Sequence, residues 1–243
     1  MFAKFQFVWV SIMKKVFEKH ETLFCILLII LYVVVNSFCV QLFGYTSGVG
    51  FVVNTLFSLF LIGIISALKS TSYYGLTIVK DSKKYLYFIP LVIIATVNLW
   101  NGINITTSKT EIIFHILTMI NIGFIEEIIF RGFLFKMMEK QSVKMAIHVS
   151  AITFGIGHVI NLLNGADFIP TLMQICCATS IGYLFVIIFY KSKSLLPCII
   201  THCIINSLSI FNVDNAVSLY VAPVFLVALP LLYTLHICRT IRE

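Results

Sequence analysis

Charge is what this chain has least of: 11% of its 243 residues are Asp, Glu, Lys or Arg, whereas 60% are hydrophobic and the mean hydropathy is +1.02. A soluble globular domain carries about a quarter charged residues, so the composition excludes one and points to an integral membrane protein. The seven cysteines form no C-x-x-C pair, which removes a metal knuckle or a redox dithiol from consideration. All seven fall within or at the edges of apolar segments and read as small core or lipid-facing residues. There is no internal repeat, no low-complexity tract and no stretch polar enough for a soluble domain. The net charge of +7 comes from basic residues dispersed between apolar segments rather than gathered in a stripe. That dispersal argues against nucleic acid and for the anionic inner surface of a bilayer.

Long apolar runs are what the chain does have. Eight are present, at approximately 23–43, 49–68, 85–100, 112–135, 143–163, 168–190, 195–211 and 217–238, and a membrane-spanning helix needs about 20 such residues. Residues 1–20 are too short for a span. There Phe2, Phe5, Trp9, Ile12, Met13 and Val16 recur at helical spacing beside Lys4, Lys14, Lys15 and Lys19, as in a helix lying on the membrane surface. No small-residue cleavage site follows, so this stretch does not read as a removable signal peptide. Of the 17 lysines and arginines, 15 lie in the amino-terminal segment, in the loops around 69–84, 136–144 and 191–193, and in the carboxyl tail. By the positive-inside rule both termini are cytoplasmic, which requires an even number of spans. The expectation is therefore an all-α membrane protein, residues 1–243 forming a single membrane domain with eight transmembrane helices and an N-terminal interfacial amphipathic helix.

Against that apolar background, Glu126, Glu127 and Arg131 stand out inside the fourth run. A charged residue at a helix centre costs roughly 2.5–3.5 kcal/mol on insertion scales, so three need a reason. Glu127 and Arg131 are four apart and share a helix face, where they can pair, while Glu126 is rotated about 100° away and is left as the unpaired carboxylate. The fifth run carries Gly155, Gly157 and His158; the seventh carries His202 and Asn206, one turn apart on one face. Counted at about 1.5 Å per residue from the basic residues that end each helix, Glu126, His158, His202 and Asn206 fall within roughly two turns of one another in height, somewhat on the cytoplasmic side of centre. The glycines would admit either a substrate or a neighbouring helix. His115 and His148 read as satisfied polar residues.

A free carboxylate, two imidazoles and a carboxamide form a coherent hydrolytic set. Glu126 can take a proton from water and return it to a leaving amine. Glu126, His158, His202 and Asn206 can hold a zinc ion with water in the open position. Without metal, His202 and Asn206 can instead donate to an oxyanion while Glu126 and His158 handle the water. Both mechanisms stay open on the residues alone. A structural ion network, and a proton relay in a small-solute carrier, are the other uses such residues find in membranes.

The three motifs in order, Glu126-Glu127 with Arg131, Phe154 with His158, and His202 with Asn206, resemble those of the CAAX protease and bacteriocin-processing family. That family comprises eight-helix intramembrane endopeptidases, including the type II CAAX prenyl proteases and the bacterial abortive-infection proteins. The resemblance covers a catalytic core at about 111–212. It implies that Glu126 activates water with His158 as partner, that His202 and Asn206 stabilise the oxyanion or bind metal, and that Glu127, Arg131 and Phe154 support the site. It further implies a membrane-bound or lipidated peptide or protein as substrate, cut near the cytoplasmic face, in a bacterial plasma membrane. The competing reading is a non-catalytic immunity or scaffold protein that keeps the motif residues for packing.

Overall fold

The computed structural model describes residues 14, 15, 17, 19–68, 71–79, 81 and 86–240. The expected interfacial helix over 1–20 lies largely outside the described residues. Among the described residues the chain is wholly helical, with no strand. Helices form at all eight apolar runs: α1 Glu21–Phe43, α2 Gly48–Leu68, α3 Leu86–Leu99, α4 Lys109–Met138, α5 Val143–Leu163, α6 Phe168–Ser192, α7 Leu196–Phe211 and α8 Val217–Arg239. Six are long and apolar enough to cross a membrane; α3 and α7 are shorter apolar helices, below the length that a full span requires. Eight full spans is thus more than helix length supports.

Local chemistry explains the boundaries. Ser108 opens α4 with a capping box, its side chain accepting from the Glu111 amide while the Glu111 carboxylate reaches back to the Ser108 amide. This starts the helix three residues before its apolar run. Ser142 caps α5 in a similar way, accepting from the Met145 amide. Pro90 sits in the first turn of the α-helical part of α3, Ile89–Ala95, and Pro197 in the first turn of α7, where a missing amide hydrogen costs nothing. Leucine, isoleucine and phenylalanine remain exposed along the outer faces, Leu42 at 69% and Leu56 at 62% for example, a pattern stable only where lipid replaces water.

The fourth helix is the hub, packing on α1, α2, α5 and α7, while α6 packs on α5 and α8. Two glycines permit close approaches here. A Cβ on Gly123 would stand 2.9 Å from the Cys203 amide nitrogen, so α4 and α7 meet almost backbone to backbone beside His202. A Cβ on Gly155 would fall 1.9 Å from Thr179 Oγ1 and 2.9 Å from the Ile175 carbonyl oxygen, so Gly155 serves helix packing. Gly157, by contrast, faces open space and borders a cavity. Gly155→Ala should therefore cost about 1–3 kcal/mol through overpacking, read as a lower unfolding midpoint in detergent, whereas Gly157→Ala should leave the midpoint unchanged.

Candidate active site

The fourth helix is not α-helical throughout. After Glu127 it widens into a π-helix over Ile128–Phe135, every residue of which is buried; π segments are rare and concentrate at functional sites. Ser150 of α5 donates to the Phe130 carbonyl inside this stretch, at 2.9 Å. The irregular turn is thereby tied to the helix that carries His158.

Glu127 and Arg131 form the expected pair, Nη1 to Oε1 at 3.0 Å, and neither is accessible to solvent. The guanidinium also lies 4.2 Å from the centre of the Phe154 ring, a cation–π contact strengthened by desolvation. Gly182 of α6 leaves room for it, since a Cβ there would sit 3.3 Å from Arg131 Nη2. Phe154 meets both His158 and His202 edge-on, with ring centres 5.4 and 5.7 Å away. One aromatic ring therefore spaces the cation from both imidazoles.

His202 joins the two glutamates. Its Nδ1 is 2.9 Å from Glu127 Oε1, and its Nε2 is 3.4 Å from Glu126 Oε2. With a carboxylate as the acceptor, Nδ1 carries the proton and the ring is fixed with Nε2 facing Glu126. Glu126 is consequently not the unpaired carboxylate that helix geometry implied. Its other oxygen accepts a 2.7 Å bond from the Tyr32 hydroxyl of α1. His158 Nδ1 is 3.1 Å from its own Phe154 carbonyl oxygen; because a carbonyl only accepts, Nδ1 is the donor and Nε2 is left with its lone pair. Helix α5 breaks at His158, which forms a turn between Val143–Gly157 and Ile160–Leu163.

Two cavities meet at these residues. The polar one, about 300 Å³, is lined by Glu126, Tyr32, His158, His202, Asn206 and Asn161, among others. The apolar one, about 490 Å³, lies between α6, α7 and α8 and is lined by Met173, Ala178, Ile181, Phe185, Pro223 and Leu226 together with His158, His202 and Asn206. All four predicted catalytic residues thus line the polar cavity, three of them at its seam with an apolar one. Glu127 and Arg131 lie behind them, out of the cavity.

His115 and His148 are satisfied, as expected: His115 Nε2 is 3.2 Å from both the Asn206 carbonyl oxygen and Ser209 Oγ, and His148 Nδ1 is 2.8 Å from the Tyr183 hydroxyl. His115 nonetheless lies on the wall of the polar cavity. Tyr32 and Tyr45 were not legible from spacing, because they come from α1 and the loop after it. Burial, and then the charge of Glu126, push the Tyr45 phenol up to about 12, so it remains a donor at any working pH. Cys203 donates to the Ile120 carbonyl and has a packing role.

Zinc finds no ready-made ligand set. Among the described residues no group of three His, Cys, Asp or Glu side chains is arranged to hold a metal ion, and the one free nitrogen of His202 already faces Glu126.

The division between the two glutamates is testable. Glu127→Ala strands a buried guanidinium and should destabilise the protein by about 3–5 kcal/mol, read by thermal unfolding in detergent. Tyr32→Phe removes one donor to a charged acceptor, an interaction of about 1.5–3 kcal/mol. Tyr32→Phe should therefore unfold at a lower temperature than the wild type, with a smaller loss than Glu127→Ala.

Searches among curated proteins and among solved structures return no match. A scan against protein-family models does return one, covering residues 108–208. That stretch, about two fifths of the chain, supplies Glu126, Glu127, Arg131, Phe154, His158, His202 and Asn206, and it is similar to the family described as type II CAAX prenyl endopeptidase Rce1-like.

Proposed function

We propose that this protein is an intramembrane endopeptidase that hydrolyses a peptide bond of a membrane-associated or lipid-anchored peptide. The observation that carries the reading is His202, held by Glu127 on one nitrogen and presented to Glu126 on the other, at the seam of a polar and an apolar cavity. The polar cavity suits water and the peptide backbone. The apolar one suits an aliphatic side chain or lipid group.

Glu126 takes a proton from water, whose oxygen attacks the carbonyl carbon of the scissile bond. The free Nε2 of His158 orients that water. As the carbonyl oxygen becomes an oxyanion, the Asn206 carboxamide donates to it, while His202, its Nδ1 proton held by Glu127, keeps Nε2 toward Glu126 and shares the proton that Glu126 has taken from water. Collapse of the intermediate breaks the C–N bond, and Glu126 returns its proton to the departing amine. Tyr32 holds the Glu126 carboxylate in orientation throughout.

Purified protein in detergent should cleave a membrane-derived peptide library, and both Glu126→Gln and His202→Ala should lose at least about a hundredfold in rate, with the unfolding midpoint preserved in Glu126→Gln. Full activity in either variant would sink the mechanism. Wild-type function retained by Glu126→Gln in complementation of a null strain would favour the scaffold reading instead. Exhaustive chelation should leave the rate within about twofold; loss of activity restored by zinc would establish a metal step.

A further inference from the structure

We infer that the active site opens to the extracytoplasmic face and that the bond it cuts belongs to an exported or extracytoplasmic juxtamembrane segment. The inference rests on the endopeptidase reading above and assigns it a side, opposite to the cytoplasmic one that residue counting suggested.

The first observation is where the cavities end. The polar cavity runs from Glu126 toward Tyr45 in the α1–α2 loop, Asn161 at the end of α5 and Ser209 at the end of α7. The apolar cavity reaches Asn98 at the end of α3, Ile169 in the first turn of α6 and Leu219 at the start of α8. Contacts join these ends: Ser37 donates to Asn164, Asn101 to Asn212 and the Asn104 amide to the Phe211 carbonyl, while His115 near the start of α4 meets Ser209, so these positions belong to one end of the bundle. It is the end away from the segments at 71–79, 136–144 and 191–193.

The second observation is the plug at the other end. Below Glu126 the buried Glu127–Arg131 pair is followed by an aromatic cluster: Phe133 packs against Phe17, Phe24 and Tyr74 with ring centres 5.0–6.3 Å apart. The loop that carries Tyr74 is pinned there by Leu195 donating to the Gly75 carbonyl and Ser194 to that of Thr77. Neither cavity has a wall residue from this layer.

The third is charge. In sequence, 15 of the 17 basic residues fall in the termini and the loops that the positive-inside rule assigns to the cytoplasm, whereas the open end carries Lys109 against Glu111, Asp167 and Asp214. A cytoplasmic peptide would have to cross the plug. A segment that has already been translocated, or that leaves the bilayer on the outer side, meets the cavity mouths directly.

Two measurements on the full chain expressed in bacterial cells test this. Asn161→Cys, at the mouth, and Lys144→Cys, at the plugged end, are treated with a membrane-impermeant maleimide and mapped by peptide mass spectrometry. Asn161→Cys should be labelled in intact cells and Lys144→Cys only after permeabilisation; the reverse pattern overturns the proposal. In parallel, protein termini are compared between wild-type and Glu126→Gln cells. Termini that depend on Glu126 should fall in extracytoplasmic segments, and their confinement to cytoplasmic segments overturns the proposal. The absence of any Glu126-dependent terminus would sink the endopeptidase reading alone, because the labelling decides the face by itself.

Discussion

A single buried cluster, Arg131 with Glu127 and Glu127 with His202, organises the centre of this protein. A fully desolvated guanidinium is tolerable only with a carboxylate beside it and aromatic faces around it, and α4, α5 and α6 each contribute to that enclosure through Glu127, Phe154 and Phe185. The same carboxylate oxygen that meets Arg131 also meets His202. Balancing the cation and orienting the imidazole are therefore one act, and helix packing and site geometry depend on the same atom.

Close approach of backbones is what makes that sharing possible. His202 reaches Glu127 because Gly123 and Cys203 let α4 and α7 touch, and Arg131 fits because Gly182 gives way on α6. In a bilayer, where apolar surface gains nothing by leaving lipid for protein, such close contacts and buried polar bonds are the forces left to hold helices together. The π segment after Glu127 belongs to the same economy of space, presenting Ile128–Phe135 entirely inward.

Function then follows from a contrast of environments. Glu127 and Glu126 are adjacent in sequence, yet one is sealed against Arg131 while the other faces a 300 Å³ cavity and accepts from Tyr32. The apolar cavity beside it shares His158, His202 and Asn206. Polar and apolar space therefore adjoin at the same three side chains.

The sequence by itself determined the helical membrane class, the places of all eight helices, and which polar groups lie inside them: polar side chains inside apolar runs are costly enough that Glu126, Glu127, Arg131, His158, His202 and Asn206 stand out. Four-residue spacing was sufficient to pair Glu127 with Arg131, because both lie on one helix. It was not sufficient for contacts between helices. Helical periodicity says which face a residue occupies but not which helix lies opposite, at what distance, or where an α-helix widens to a π-helix. Tertiary structure alone therefore decided that His202 bridges both glutamates, that Tyr32 from α1 occupies Glu126, that Gly155 packs while Gly157 faces a cavity, and that α3 and α7 fall short of a full span. It also decided which end of the bundle is open, since a cavity is a property of how helices converge and no one of them encodes it.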